Sequence, residues 1–273
     1  MSLLSNHLAM AHNGAVVDLD GTVYRGDRLV PGAGDGIDRL RGAGLSVMFV
    51  SNNPTRSGRE YIERLSGFGV DARPGEAISA GDAAVEYLRA NHPDDDVLLV
   101  GAQGLYDQLV DADISVTDDP TVTDVVLGSW TREFDYEDLN AALQAVDDST
   151  AFLGTDPDRT FPREDDRVEP GSGAIIGALA ETVGREPDAM LGKPSEHMAS
   201  LVTERLGEDP AECLVVGDRL STDLLLGERV GMTTVLVLSG VSDRSDVAAS
   251  DVDPDYVVDS LADVEAVLDG ADS

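Results

Sequence analysis

The sequence predicts an α/β protein: a doubly wound parallel sheet with helices on both faces, and a second α/β domain inserted within the first. Three observations predict it. Short apolar runs alternate with amphipathic stretches, the rhythm of the beginning returns at the end, and the middle carries strand and helix units of its own. In chain order, residues 15–17 read as a short buried strand, the region of 37–40 as a helix, 45–50 as the next strand and 59–68 as a helix closed by Gly69. This opening implies a ligand site beyond the carboxyl ends of the strands. The middle then offers a helix at 83–90, a strand at 97–100, a helix at 104–109, strands at 114–116 and 122–127, a helix at 136–145 and a strand at 151–154. Strands at 214–217, 234–238 and 256–258, separated by helices near 222–230 and 261–268, return to the first sheet. The expected organisation is an N-terminal tail at 1–13, a core at 14–81 and 189–273, and an inserted domain at 82–188.

The 273 residues include 53 acidic against 19 basic side chains, a formal charge of −34, with 42% hydrophobic residues. That charge argues against nucleic acid or an anionic membrane as the main partner, because both require clustered positive charge. The apolar content still suffices for a buried core. No apolar run approaches the roughly 20 residues that span a bilayer. The first residues lack the basic start of a signal peptide, so a cytoplasmic location is expected. The single cysteine, Cys213, lies in an apolar run and reads as a packing residue. The acids divide into 37 Asp and 16 Glu, and the bases into 18 Arg and one Lys. Dense short carboxylates almost without lysine suit molar internal salt, where charges are screened within ~3 Å, so a halophilic origin is expected.

A chain that avoids lysine elsewhere keeps Lys193 between Gly192 and Pro194. A compact cationic point charge is therefore expected to be required there, and phosphate is the ligand that such a charge suits. The pattern Asp-x-Asp is uninformative by itself: this much Asp yields about five pairs by chance, and six occur. Asp18-Leu19-Asp20-Gly21-Thr22 differs by position, directly after the first buried strand, with Gly21 permitting a sharp exit. Two further strands run into polar clusters, Ser51-Asn52-Asn53 and Gly217-Asp218-Arg219-Leu220-Ser221-Thr222-Asp223. Carboxylates from separate strands at one sheet edge repel one another unless a cation joins them, and Mg²⁺ suits an oxygen-only set. A metal, a lysine and hydroxyl or amide donors around a carboxylate form an arrangement for phosphoryl transfer through an aspartyl-phosphate.

These four segments, in this order, resemble the haloacid dehalogenase superfamily of phosphatases over residues 14 to 268. Val23-Tyr24, the paired Asn and a cap placed between the second and third motifs resemble its NagD-like, para-nitrophenyl phosphatase branch. The resemblance implies a Rossmannoid core with an inserted α/β cap, Mg²⁺ as cofactor, and a small phosphorylated metabolite as substrate. It implies Asp18 as nucleophile and metal ligand, and Asp20 as the acid that protonates the leaving oxygen and then activates water, its carbonyl also binding metal. Asp218 would be a direct metal ligand and Asp223 an acid that orients metal-bound water. Ser51 and Asn52 would hold phosphoryl oxygens, and Lys193 would neutralise charge on nucleophile and phosphate. Relatives often pair through the cap, so a homo-oligomer is a further expectation.

The chain departs from the family pattern at Ser221, where relatives commonly have Asp, and at Asp156 of Thr155-Asp156-Pro157-Asp158, where they often have Asn. Asp156 and Asp158 are candidates for what the cap accepts, with composition drift as the alternative at Asp156. The following loop, Arg159-Thr160-Phe161-Pro162-Arg163, places two cations and an aromatic near the expected substrate entrance, with a solvated loop as the alternative. Arg132 and Arg219 are further candidates, with salt bridging as theirs. Gly171-Ser172-Gly173 reads as a hinge, a helix start or a simple turn. The four histidines show no zinc spacing, and Gly32-Ala33-Gly34-Asp35-Gly36 lacks the third glycine of a dinucleotide fingerprint. The expected activity is Mg²⁺-dependent hydrolysis of phosphate monoesters: sugar phosphates, nucleoside monophosphates, phosphoglycolate or glycerol phosphate, with para-nitrophenyl phosphate as an artificial substrate. A phosphomutase on the same core is the alternative enzyme, and a receiver-like phospho-Asp signalling module is the non-enzyme alternative.

Overall fold

A computed structural model of the chain describes residues 12–162 and 167–270. Strand β1 (Gly14–Asp18) leads into the hairpin β2 (Tyr24–Arg25) and β3 (Arg28–Leu29), then α1 (Ala33–Gly42), β4 (Ser46–Ser51), α2 (Gly58–Gly67) and β5 (Ala77–Ser79). The next elements are α3 (Ala80–Asn91), β6 (Val97–Val100), α4 (Gln103–Asp111), β7 (Val125–Gly128), α5 (Tyr136–Ala145) and β8 (Ala151–Gly154). A second hairpin, β9 (Thr160–Pro162) and β10 (Val168–Pro170), precedes α6 (Ser172–Val183), β11 (Ala189–Met190) and α7 (Glu196–Leu206). The chain closes with β12 (Cys213–Gly217), α8 (Leu225–Val230), β13 (Thr233–Val237), α9 (Arg244–Ala249), β14 (Tyr256–Val258) and α10 (Val264–Leu268).

The described residues form two compact units, one of residues 12–49, 65–72 and 202–270, the other of 50–64, 73–162 and 167–201. The beginning and end of the chain share one six-stranded sheet, in the order β14-β13-β12-β1-β4-β5. Strand β1 pairs in parallel with β12, Val17 opposite Val216, and β12 with β13. All five residues of β1 and of β12 are buried, as expected of parallel strands covered on both faces. Cys213 packs there, with burial pushing its thiol up to about 11.

The second unit is itself doubly wound. Its parallel sheet has the order β11-β8-β7-β6. Alternation along the strands sorts side chains to two faces. Val126 and Phe152 pack with Ala142, Ile175, Ile176 and Leu179 of α5 and α6, while Val125, Leu127 and Leu153 pack with Ala84, Leu88, Leu105 and Leu109 of α3 and α4. Part of the Asp excess caps helices. Asp135 with Asp138 and Asp243 with Asp246 form reciprocal capping pairs at α5 and α9, and Ser79 with Asp82 does so at α3.

Some elements differ from the sequence expectation. Residues 114–116 make an isolated bridge, Val97 with Val116, instead of a strand, because Asp113 turns the chain at φ 59° directly after α4. The helix expected at 222–230 begins as a single π-helical turn, Leu220–Leu224, before α8. Residues 160–162, expected as loop, pair with 168–170. Gly171 caps the start of α6, which settles the Gly-Ser-Gly segment as a helix start.

Candidate active site

In the first unit the chemistry gathers where β1 and β12 end. Their register sets Asp18 and Asp218 just beyond adjacent parallel strands. The π-helical turn then returns Asp223 toward the same edge, its carboxylate accepting from the Arg219 backbone N–H at 3.0 Å. Asp18, Asp218 and Asp223 are buried and offer oxygen atoms all within 4.8 Å of one another. At an effective dielectric of about 20, three ionised carboxylates at that spacing repel by about 3 kcal/mol per pair. An oxygen-only, triply acidic cluster of this kind fits a hard divalent cation such as Mg²⁺ and has no soft ligand for zinc or copper.

The backbone around Asp218 is shaped to hold it. Val241 N–H donates to Asp218 Oδ2 at 2.7 Å. A Cβ at Gly240 would lie 1.9 Å from that oxygen and one at Gly21 2.3 Å, and Gly21 also has φ +102°. The sharp exit expected after Asp18 therefore serves close approach to Asp218 as well as the turn. Asp20 is exposed, and Tyr24 O–H donates to its Oδ2 at 3.3 Å. Asp223, expected from the resemblance to act on metal-bound water, is geometrically one of the three clustered carboxylates. Ser221 is exposed.

In the second unit the site residues form a neutral scaffold around one cation. Asn52 reads both sides of the Lys193 residue: its Oδ1 accepts from Lys193 N–H at 2.7 Å and its Nδ2 donates to Lys193 C=O at 3.0 Å. A side-chain amide presents that donor and acceptor on two separate atoms, one for each side of the residue. Lys193 is 2% exposed, and its Nζ donates to the Val50 carbonyl at 3.0 Å. Ser51 Oγ donates to Tyr61 Oη at 3.2 Å and accepts from Asn53 N–H at 3.1 Å. The side chain of Asn52, expected to bind phosphoryl oxygens, is thus engaged in holding Lys193.

Asn52 Nδ2 also donates to Asp158 Oδ2 at 3.3 Å, which brings the loop after β8 into the same network. Asp156 is buried there. Desolvation first, and then the neighbouring charge of Asp158, push its carboxyl up to about 7. Hydrogen bonds from Ser172, Thr155 and the Asp158 backbone oppose the rise. Arg132 pairs with Glu169 and lies 5.7 Å from the Trp130 ring centroid, and Trp130 meets Phe161 edge-on at 5.8 Å. Arg159 is exposed, Arg219 starts the π-helical turn, and Arg163 lies outside the described residues. His197 bonds the Ala83 carbonyl, far away in the chain, and His92 pairs with Asp95, both structural roles. No helix among the described residues is long and apolar enough to cross a membrane.

The contributions of Ser172, Tyr61 and Val241 are invisible to sequence reasoning, because they come from contacts distant in the chain or from the backbone. Tyr24, four residues after Asp20, stood out only as part of the resemblance, and the Gly-Ser-Gly segment pointed to backbone rather than to the Ser172 hydroxyl.

Comparison with known proteins places this geometry in a family. The models described as "Haloacid dehalogenase-like hydrolase" and "HAD-hydrolase-like" match residues 15–115 and 190–264. The chain is 34% identical over 241 residues to an acid sugar phosphatase of Staphylococcus epidermidis, covering 88% of this chain and 92% of that protein. Among solved structures, a p-nitrophenyl phosphatase from Archaeoglobus fulgidus superposes with a TM-score of 0.87 at 35% identity, covering 94% of this chain and 99% of that one. NagD from Escherichia coli K-12 superposes with a TM-score of 0.81 at 27% identity, covering 93% and 98%.

Proposed function

The chain belongs to the haloacid dehalogenase-like hydrolases and is a phosphoric monoester hydrolase of the NagD-like kind, and from that premise we propose that it hydrolyses small sugar phosphates and related monoesters with Mg²⁺. The observation that carries the metal-dependent reading is the cluster of Asp18, Asp218 and Asp223. These residues would hold the ion, with the Asp20 carbonyl, and the bound ion would offset charge on carboxylate and phosphoryl oxygens.

An Asp18 carboxylate oxygen attacks phosphorus in line, forming the aspartyl-phosphate as the ester P–O bond breaks. Asp20, which is exposed and can exchange protons with solvent, gives its proton to the leaving oxygen. It then takes one from the water that attacks the phosphoenzyme, releasing phosphate and restoring Asp18. Lys193 supplies a buried positive charge to the phosphoryl oxygens, with Ser51 and the Asn52 segment as donors. The functional division we favour is a catalytic core at 14–81 and 189–273 with a cap at 82–188 that selects the leaving group. The acidic, lysine-poor composition supports a halophilic, cytoplasmic setting.

Phosphate release from a panel of monoesters, in molar KCl with and without Mg²⁺, tests the reading. Turnover should require Mg²⁺, rank sugar phosphates high, and fall at least about 10³-fold in Asp18→Asn while the fold is retained. Metal-independent turnover, or an active Asp18→Asn protein, would overturn it.

A further inference from the structure

The buried acid Asp156 has no part in the reaction just described, yet it is wired to residues that do. Its Oδ1 accepts from Asp158 N–H at 3.2 Å, and its Oδ2 lies 3.1 Å from Thr155 Oγ1, which in turn lies 3.1 Å from Ser129 Oγ. Asp158 accepts from Asn52, and Asn52 clamps the Lys193 backbone. Packing follows the same route. A Cβ at Gly192 would stand 2.7 Å from Asn52 Oδ1 and 3.1 Å from Asp156 Cβ, so the residue before Lys193 is wedged between the amide and the acid. Cβ atoms at Gly171 and Gly173 would meet the Asp158 and Pro157 carbonyls at 2.2 and 2.3 Å, so the start of α6 presses on the same loop from its other side.

We propose that Asp156 is a positioning residue that, in its protonated form, holds the 155–158 loop against Asn52 and so keeps Lys193 set for phosphate. This rests on the phosphatase reading above and deepens it by naming what regulates the cation.

The neighbours determine how it titrates. Asp158, on its own loop, is the charge that acts on it; Ser172 at the start of α6 and Thr155 supply hydroxyls. Lys193, which follows the packed Gly192, directs its Nζ to the Val50 carbonyl. With its proton, Asp156 donates to Thr155 while Oδ1 still accepts from Asp158 N–H. Without it, two carboxylates two residues apart repel in a buried loop, and that repulsion bears on the carboxylate that bonds Asn52. Burial raises the Asp156 carboxyl to about 7, which places the change in the neutral range.

The test is the affinity of the Mg²⁺-loaded protein for inorganic phosphate, measured by calorimetry from pH 5.5 to 8.5 in wild type, Asp156→Asn and Asp156→Ala. The amide can keep the bonds to Thr155 and Asp158 N–H without a charge to lose, and comparing proteins at each pH cancels the ionisation of phosphate itself. Asp156→Asn should match wild type at the acid end and bind about threefold or more tighter than wild type at pH 8.5. Asp156→Ala, which loses the bonds to Thr155, Asp158 N–H and Ser172, should bind about tenfold more weakly throughout. An identical pH course in wild type and Asp156→Asn, or unchanged binding in Asp156→Ala, would overturn the inference alone. A wild-type protein that binds no phosphate at any pH would sink the phosphatase reading and this inference with it.

Discussion

Two groups of buried aspartates in this molecule answer the same problem in opposite ways. In the first unit, Asp18, Asp218 and Asp223 offer oxygens within 4.8 Å of one another, Asp218 accepting from Val241 N–H and Asp223 from Arg219 N–H. In the second, Asp156 and Asp158 sit two residues apart among hydroxyls, with Ser172 and Thr155 bonding the buried member. Burial penalises the charged form in both places. Three convergent oxygens make a cation the cheapest remedy in the first; a single deeply buried carboxyl beside a half-buried one makes a proton the remedy in the second. Residue type therefore says little about role in so acidic a chain, and the number and direction of neighbouring oxygens say a great deal.

The same substitution made in the two places breaks or sharpens this contrast, and the largest effect is expected at Asp218. Asp218→Asn removes one of three charges and one of three oxygen ligands while keeping shape. Mg²⁺ affinity should fall by at least about tenfold, and turnover by about 10²-fold or more. Calorimetric titration of Mg²⁺ into the folded variant checks it. An Asp218→Asn protein that binds Mg²⁺ as wild type does would show that the acidic cluster is not balanced by a cation.

Asn52→Asp inverts the experiment by adding a charge where the scaffold is neutral. The carboxylate can still accept from Lys193 N–H, but it cannot donate to the Lys193 carbonyl, and it faces Asp158. Losing that buried hydrogen bond costs about 1–3 kcal/mol, read as a lowered midpoint in urea. Phosphate binding should weaken with it. Unchanged stability would mean that the two bonds to Lys193 are not formed in solution.

Stability against pH probes the proton-balanced side directly. The Asp156 carboxyl is raised from 3.8 to about 7, so the folded chain keeps a proton that the unfolded chain has released. Its contribution is full below about pH 4, declines as pH rises, and is gone above about pH 7, a loss on the order of a few kcal/mol. Other acids impose their own dependence, so the informative quantity is the difference from Asp156→Asn, which should gain stability relative to wild type between pH 5 and 8. A difference that stays flat would place the ionisation of Asp156 outside that range.

Much of this architecture was legible because the residues that create it are local. Asp18 could be singled out by its place after a buried strand, Asp218 likewise, and Lys193 by the absence of lysine everywhere else. The hairpin of β9 and β10 was not legible, since three-residue strands containing proline carry almost no alternation. Helix α6 escaped because its Ala174-Ile175-Ile176 run and the apolar residues after it blur the polar face that marks an amphipathic helix. The character of Asp156 was hidden for a different reason: it depends on Ser172, sixteen positions later, and on burial that no local pattern encodes.

The smallest effect is expected at the exposed edge of the second unit, where charge is balanced by neither metal nor proton. Arg132 is 57% exposed at its side chain, pairs with Glu169, and lies over Trp130. Exposed pairs contribute roughly 0–1 kcal/mol and an exposed cation–π contact about as much, so Arg132→Ala should shift stability by about 1 kcal/mol or less. If Arg132 also meets the leaving group, KM should rise severalfold for bulky or anionic monoesters with little change in kcat, because a contact made equally in ground and transition states affects binding alone. Equal losses in kcat across the whole panel would instead tie this edge to the chemistry, and the contrast between balanced interior acids and a merely solvated rim would have to be redrawn to include it.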